Sequence, residues 1–596
     1  MDLNTLVILI YFGFLLGIGW AVRNMTKNTS DYFRGGGNVL WWMVGASAFL
    51  TQFSSWTFTG AAGKAYVDGL AVAFIYVGNA LGFFLNYMYF AARFRQMRVV
   101  TVVEALQLRF GKKNEQVFAW VNMSTTLISA SIGLNGLAIV TSTVFGYNLE
   151  TTIIITGLVV LFMSVTGGAW AVIASDFMQM IVIMSVTVAS AAVGIYHAGG
   201  LVPIVEKFPT DFVAGTELNY MSILYIWAFS IFLKQLGLTN NILYSYRYLV
   251  AKDSAHARKG ALLAFFLMTL APVVWFIPSW FMAGTGVDLA AMYPSLGEKA
   301  NEAAYLAFVE LYMPVGMMGL LAAAMFAATM SSIDSGLNRN AGIFVRNFFK
   351  PVLMPDMTED RLMIVSRITT MVFGGLIISM ALFLNSLKEL SLFDAMLYMS
   401  ALLGFPQMIP SFLGFFVRKT PDWAAWATIL VGACVSFIVG GVLSPTHIET
   451  WFGLSQELTK REWTDLVVMI SLLAHTVITG GFFCLTGLFH RDLTPERETD
   501  VSRFFTNIQT PLVREGGEHD RLDNRQRILL GRTIALAGIL VLALAAIPNP
   551  FWGRLVFLIC GALVFLIGFL LFSSATGASD GSQTNTNSDI SDDVAS

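Results

Sequence analysis

Charge is what this 596-residue chain has least of. Only 12 % of its residues are Asp, Glu, Lys or Arg, against 56 % hydrophobic, where a soluble domain carries roughly 25 % charged residues. So little charge cannot cover the surface of a water-soluble protein of this length, and it also excludes intrinsic disorder, collagen and coiled coil. The 36 basic and 38 acidic residues give a net charge of −2, so there is no basic excess for nucleic acid. Cysteine is scarce too. Cys434, Cys484 and Cys560 each sit in an apolar stretch without metal-ligand spacing or an obvious partner, which excludes a disulfide scaffold and a zinc module. Of six histidines only His475 lies deep in an apolar run, where a satisfied core histidine is the ordinary role. Gly35-Gly36-Gly37 follows no strand pattern, so it does not read as a phosphate loop. The longest polar stretch, about 490–528, is too short to carry an enzyme.

What the chain has in abundance is long apolar runs, with a mean hydropathy of +0.68. A spanning helix needs about 20 mainly apolar residues. Runs of that kind fall near 3–22, 40–62, 70–92, 117–145, 151–164, 169–198, 221–245, 260–284, 318–345, 366–386, 392–416, 423–444, 464–488, 529–547 and 554–572. The first is not a cleaved signal, because Met-Asp-Leu-Asn carries no positive charge and no small-residue cleavage site follows. The chain therefore reads as an all-α polytopic membrane protein. Arg93, Arg95, Arg98, Arg109, Lys112 and Lys113 follow the third span; Arg247, Lys252, Arg258 and Lys259 follow the seventh; Arg346, Lys350 and Arg361 follow the ninth. The positive-inside rule puts these loops, and 490–528, in the cytoplasm. The N-terminus is then outside and the C-terminus cytoplasmic. Such a chain belongs in the plasma membrane, which is the inner membrane in a Gram-negative cell. The tail 574–596, rich in Ser, Asp, Asn, Thr and Gly, reads as disordered.

Polar side chains inside spans cost on the order of 2.5–3.5 kcal/mol for a charge at the centre, so they point to function. Four places stand out. The second span is small and polar from Gly45 to Gly60; it reads either as an interrupted helix lining an ion site or as a tight packing seam. The ninth span holds Ala328, Ser331, Ser332 and Ser335 on one face at 100° per residue, with Asp334 about 110° away. Clustered hydroxyl and carbonyl oxygens suit a hard cation such as Na+. Asp176, in the sixth span, reads either as a carboxylate snorkelling to the interface or as charge supplied to a cation. Lys234, in the middle of the seventh span, needs a partner: a protein carboxylate such as Asp334 or Asp176, or an anionic group on a substrate.

Taken in order, Gly36-Gly37 with Trp41-Trp42, Gly45-Ala46-Ser47, Thr101…Glu104…Arg109-Phe110-Gly111, Thr166-Gly167-Gly168…Asp176…Gln179, Arg247…Ala251-Lys252 and Ala328-Thr329-Met330-Ser331-Ser332 resemble the sodium:solute symporter family from about residue 3 to 490. The resemblance implies a LeuT-like core of five-plus-five inverted repeats with extra N- and C-terminal helices. The corresponding segments are 1–39 (extra helix and loop), 40–198 (first repeat), 221–416 (second repeat) and 417–573 (C-terminal helices). It also implies a sodium site made by the Leu50, Phe53 and Ala328 carbonyls and the Ser331 and Ser332 hydroxyls. A second sodium would draw on Ser331, Asp176, Asp334 and Ser335.

The same resemblance says less about the solute. Aligned with the sugar carriers, Tyr76 stands at their glutamate, Asn79 near their serine, Thr57 at their glutamine and Met268 at their lysine, so their binding set is absent. The fourth span lacks the arginine of sialic acid carriers. Ser54-Ser55-Trp56 is closer to proline carriers, with Gln52 in place of a nearby aspartate. The expectation is sodium-driven symport of a small molecule across the bilayer, with Na+ as the coupled ion and no obligate protein partner. An amino acid or small organic acid would be held by Ser54, Trp56, Thr57, Tyr76, Asn79, Lys234 and Gln235. The alternative is a sugar or polyol symporter with a divergent site. A passive channel is disfavoured, because no ring of carbonyls or acids lines a pore.

Overall fold

The computed structural model describes residues 6–8, 10, 13, 37–50, 52–99, 101–164, 169–208, 220–387, 391–491, 493–513 and 517–586, without the side chains of 163–175, 331, 334 and 335 among others. Most of the first expected span therefore lies outside the described residues. The rest is helical; the only strand-like pairing among the described residues is a bridge between Val39 and Ala251. Among the described residues ten helices are long and apolar enough to cross a membrane, and four shorter apolar ones accompany them. Together they account for each of the remaining expected spans.

The second span is built in pieces. Helix α1 (Trp41–Leu50) stops, a turn at Ser55–Phe58 follows, and α2 (Gly60–Asp68) resumes. Ser54 is extended (φ −159°, ψ −178°) and its hydroxyl accepts the Trp56 N–H. That local bond is the alternative serine offers to helix continuation. The third span runs from α3 (Ala73–Leu85) to Gln96. Then come α4 (Lys112–Phe145), α5 (Leu149–Ser164), α6 (Ala169–Ala198), α7 (Tyr220–Thr239) and α8 (Ser254–Ala283). They are followed by α9 (Met317–Ile343), α10 (Glu359–Ser386) and α11 (Leu392–Met399), which opens the span that ends at Leu413.

After these, α12 (Ala424–Phe437) and α13 (Lys460–Ala474) begin two further spans. The polar stretch 490–528 forms α14 (Pro495–Gln509) and the start of α15 (Gly517–Ala543). Helix α16 runs from Phe551 to Thr586, so its backbone continues past 574, where composition alone leads one to expect disorder. Once a helix is nucleated by the apolar run, adding residues is cheap. Residues 587–596 lie outside the described residues.

Helices in lipid gain little from hydrophobic burial against one another, so they pack by close approach. At the α1–α8 crossing a methyl on Gly45 would come within 2.7 Å of the Gly260 carbonyl oxygen; only glycine admits that contact. The outer faces carry exposed Leu158, Phe162, Phe383, Phe437 and Leu570, as a lipid-facing surface requires.

The two ends of the bundle differ. At one end the arginine-rich loops knit together. Arg109 Nε donates to the Gly414 carbonyl at 2.8 Å, Arg497 caps the Leu108 carbonyl at 3.1 Å, and Lys252 pairs with Asp523 at 2.7 Å. At the other end Lys64 pairs with Asp68 at 2.5 Å, and Arg461 approaches the same carboxylate at 3.7 Å.

Candidate functional site: a cavity at the broken helix

The break in the second span faces α9 directly. The Ser55 N–H donates to Thr329 Oγ1 at 2.8 Å, and Thr329 passes its own proton to the Met325 carbonyl at 2.8 Å. Ser55 Oγ donates to the Gly133 carbonyl of α4 at 3.1 Å. The orphan polar groups of the interrupted helix are thus shared with two neighbouring helices. The Leu50 carbonyl accepts the Phe53 N–H at 2.9 Å and keeps a second lone pair. Ser332 Oγ donates to the Ala328 carbonyl at 3.2 Å.

Next to this junction lies a cavity of about 230 Å³, lined by the break, α3, α4, α7, α9 and the start of the eleventh span. Phe53 and Ser332 line it, as do Ser54, Trp56, Tyr76, Asn79, Lys234 and Gln235. Six of the seven residues expected at a substrate site are therefore brought together. Thr57 is buried and does not line the cavity; its hydroxyl neighbours that of Tyr76. Leu50 and Ala328 do not line the cavity. The backbones of Ser331, Asp334 and Ser335 belong to α9, while their side chains lie outside what is described.

Lys234 is 5 % exposed, and no hydrogen-bond acceptor or charged neighbour meets its ammonium among the described residues. Asp176 is not its partner. Arg247 Nη1 donates to Ser47 Oγ at 2.8 Å, Ser47 donates to Asp176 Oδ2 at 2.7 Å, and the guanidinium stands 3.6 Å from that carboxylate. Asp176 is thus buried rather than snorkelling, and a guanidinium already faces its charge. It joins α6, α1 and the residues after α7 in a buried ion pair. Nearby, Gln52 Nε2 donates to the Tyr244 hydroxyl at 2.9 Å.

Trp56, also on the cavity wall, is held by the start of the eleventh span. Its indole N–H donates to the Leu392 carbonyl at 3.0 Å, and its ring stacks on Phe393 at 5.8 Å between centroids and 11° between planes. The Leu392 N–H is held in turn by Glu302 Oε1 at 2.7 Å. His475 has the core role expected of it, between Ser436 at 3.1 Å and Thr479 at 3.1 Å. Sequence reasoning overlooked Thr329, Arg247 and Glu302. Thr329 stood inside a quoted motif, and its adjacency to the serine pair was the available signal; nothing local marked Glu302.

The chain matches the sodium:solute symporter family over residues 32–432. It is 28 % identical over 411 residues to the sodium/glucose cotransporter of Vibrio parahaemolyticus, covering 62 % of this chain and 73 % of that one. It is 27 % identical over 433 residues to the sodium/sialic acid symporter NanT of Aliivibrio fischeri, covering 70 % and 83 %. A solved Na+-coupled sialic acid symporter, in a substrate-bound outward-open state, superposes with a TM-score of 0.62 at 21 % identity, covering 83 % of this chain and 99 % of the other. That similarity establishes the LeuT-like fold. The match covers the broken helix, the serine-bearing helix and the cavity between them, and this multi-pass membrane chain belongs to the sodium:solute symporter family of sodium-coupled carriers, which are not enzymes.

Proposed function

We propose that the chain couples the inward movement of Na+ to uptake of a small carboxylate-bearing solute, an amino acid or a small organic acid, and that Lys234 receives the carboxylate. The observation that carries this reading is an ammonium that is buried on the wall of the central cavity and meets no partner among the described residues. A mid-membrane charge without a counter-ion is expensive, and an anionic ligand removes that cost.

Sodium is held where the broken helix meets α9, by the Leu50, Phe53 and Ala328 carbonyls and the Ser331 and Ser332 hydroxyls. The Ser55–Thr329 bond supports this, since it brings the two segments into register. For a second sodium, Arg247 already engages Asp176, which leaves Ser331, Asp334 and Ser335. Segments 40–198 and 221–416 serve as the two inverted repeats that move past each other in alternating access. The clustering of Arg109, Arg497 and Lys252 at one end supports a cytoplasmic assignment for that end, with the N-terminus outside and the C-terminus inside the plasma membrane. The Trp56–Phe393 lid then faces outward.

A sugar or polyol is the second reading. It is favoured by the cavity's amide and hydroxyl groups and by relatives named for glucose and sialic acid.

Uptake into proteoliposomes under an imposed Na+ gradient tests the reading. Transport that runs equally well in potassium or choline removes the sodium coupling. Lys234→Met should abolish uptake of an anionic solute while leaving the protein folded; unimpaired uptake makes Lys234 structural and leaves the polyol reading.

A further inference from the structure

The polar groups on the cavity wall divide into two sets. Gln52, Ser129, Thr329 and Ser332 spend their donors inside the protein, on Tyr244, Met399, Met325 and Ala328. In the other set, each residue has a polar atom that finds no hydrogen-bond partner among the described residues. The Asn79 carboxamide is 2 % exposed, and no protein group meets its oxygen. Gln235, 3 % exposed, gives its amide N–H to the Ile75 carbonyl at 3.4 Å and leaves Oε1 without a donor. The Tyr76 hydroxyl makes no full hydrogen bond among the described residues and has only the Thr57 hydroxyl as a polar neighbour.

These groups share one wall. Tyr76 and Asn79 are three residues apart on α3, and therefore on one face. Lys234 and Gln235 are adjacent on α7. The two helices touch here: a methyl on Gly78 would lie 3.0 Å from Gln235 Cβ. Buried polar atoms left unpaired are costly, and a site built this way discriminates sharply against ligands that lack the missing partner.

The missing partners are of two kinds. The ammonium of Lys234 needs an anion. The carboxamide oxygens of Asn79 and Gln235 accept only, so they need O–H or N–H donors. A zwitterion would bring a second cation to a wall where, among the described lining residues, no carboxylate faces it. Hydroxyls satisfy the acceptors without adding charge. Resting on the symport reading above, we propose that the substrate is a polyhydroxy carboxylate, an acid of the sugar-acid type. Its carboxylate meets Lys234, and its hydroxyls donate to Asn79 and Gln235 and exchange a hydrogen bond with Tyr76.

The test is ligand-induced thermal stabilisation of the purified full-length protein in Na+ and in K+. The panel has four six-carbon probes: gluconate (anion with hydroxyls), hexanoate (anion alone), glucose (hydroxyls alone) and norleucine (zwitterion). Gluconate should bind at least about tenfold more tightly than each of the others in Na+. Asn79→Leu should erase the preference over hexanoate, and Lys234→Met the preference over glucose. The ranking on the unmutated protein decides the matter even where a variant fails to fold. Norleucine, hexanoate or glucose binding as well as gluconate overturns the proposal and leaves sodium coupling intact, as does the absence of any gluconate effect while another probe responds in Na+. Gluconate binding first in the ranking but equally in K+ retains the substrate class and overturns the sodium coupling instead. No response to gluconate under any condition also overturns the class.

Discussion

Glu302 offers a prediction whose size follows from its surroundings. It sits on the segment Pro294–Ala303 between α8 and α9, outside the spans, and is 4 % exposed. Burial pushes its carboxyl up from the ordinary 4.5 to about 7. The Leu392 N–H and Lys299 pull it down, and Asp394 pushes it further up, but desolvation dominates. The sign follows from linkage. Between the two values the closed form holds more protons than the opened one, so closure is favoured below pH 4.5 and loses that advantage as the pH rises through about 7. At about 1.4 kcal/mol per pH unit the loss reaches about 3 kcal/mol. What opens is the junction of Leu392 with Trp56, whose indole depends on the same residue's carbonyl. Glu302→Gln keeps the acceptor and removes the titration. Amide exchange at the start of α11, as the ratio of native protein to variant at each pH, should rise by about two orders of magnitude from pH 5 to pH 8. A flat ratio would show that Glu302 is hydrated and that the lid does not sense protons through it.

Two further substitutions probe the ion junction. Ser332→Ala should raise the half-saturating Na+ concentration for uptake by about tenfold or more, the loss expected of one oxygen bonded to a charge; an unchanged sodium dependence removes Ser332 from the site. Thr329→Val leaves the buried Ser55 N–H without its acceptor, at a cost of about 1–3 kcal/mol. It should lower the melting temperature and weaken Na+ affinity together, whereas a loss of stability alone would separate the Ser55 bond from the ion site.

What the sequence disclosed and what it withheld divide along a physical line. Spans and the broken helix were legible because each is local: an apolar run and a cluster of helix-breaking residues. Of the six cavity residues, Lys234 and its neighbour Gln235 were legible as a charge and an amide in mid-span, and Ser54, Trp56, Tyr76 and Asn79 through the family resemblance, which supplies long-range register that composition lacks. Partnerships were not. Ser47, Asp176 and Arg247 stand on three separate elements, and nothing in their neighbourhoods says that Arg247 rather than Lys234 meets Asp176. Glu302 looks like an ordinary loop carboxylate until the fold buries it against the residues that open α11. Lys234 was recognised as needing a counter-charge, yet only the fold shows that Asp176 does not provide it.

The pairing of Asp176 with Arg247 also bears on how much charge each cycle moves. Of the four residues suggested for a second sodium, Asp176 already has its charge balanced by a guanidinium at 3.6 Å. Drawing that carboxylate onto a cation would strand Arg247 in a buried site, a strongly unfavourable exchange. With one Na+ and one monoanionic substrate the loaded carrier moves no net charge, and Lys234 stays with the protein. Uptake should then be driven by the Na+ gradient alone and should ignore a potassium-diffusion potential set across the liposome. A second Na+ would make the cycle carry one positive charge, worth about 2.3 kcal/mol per 100 mV and therefore about fifty-fold in accumulation. Substrate-dependent current on a supported membrane, or uptake that follows the imposed potential on that scale, would refute the electroneutral cycle and place the second ion on α9 through Asp334.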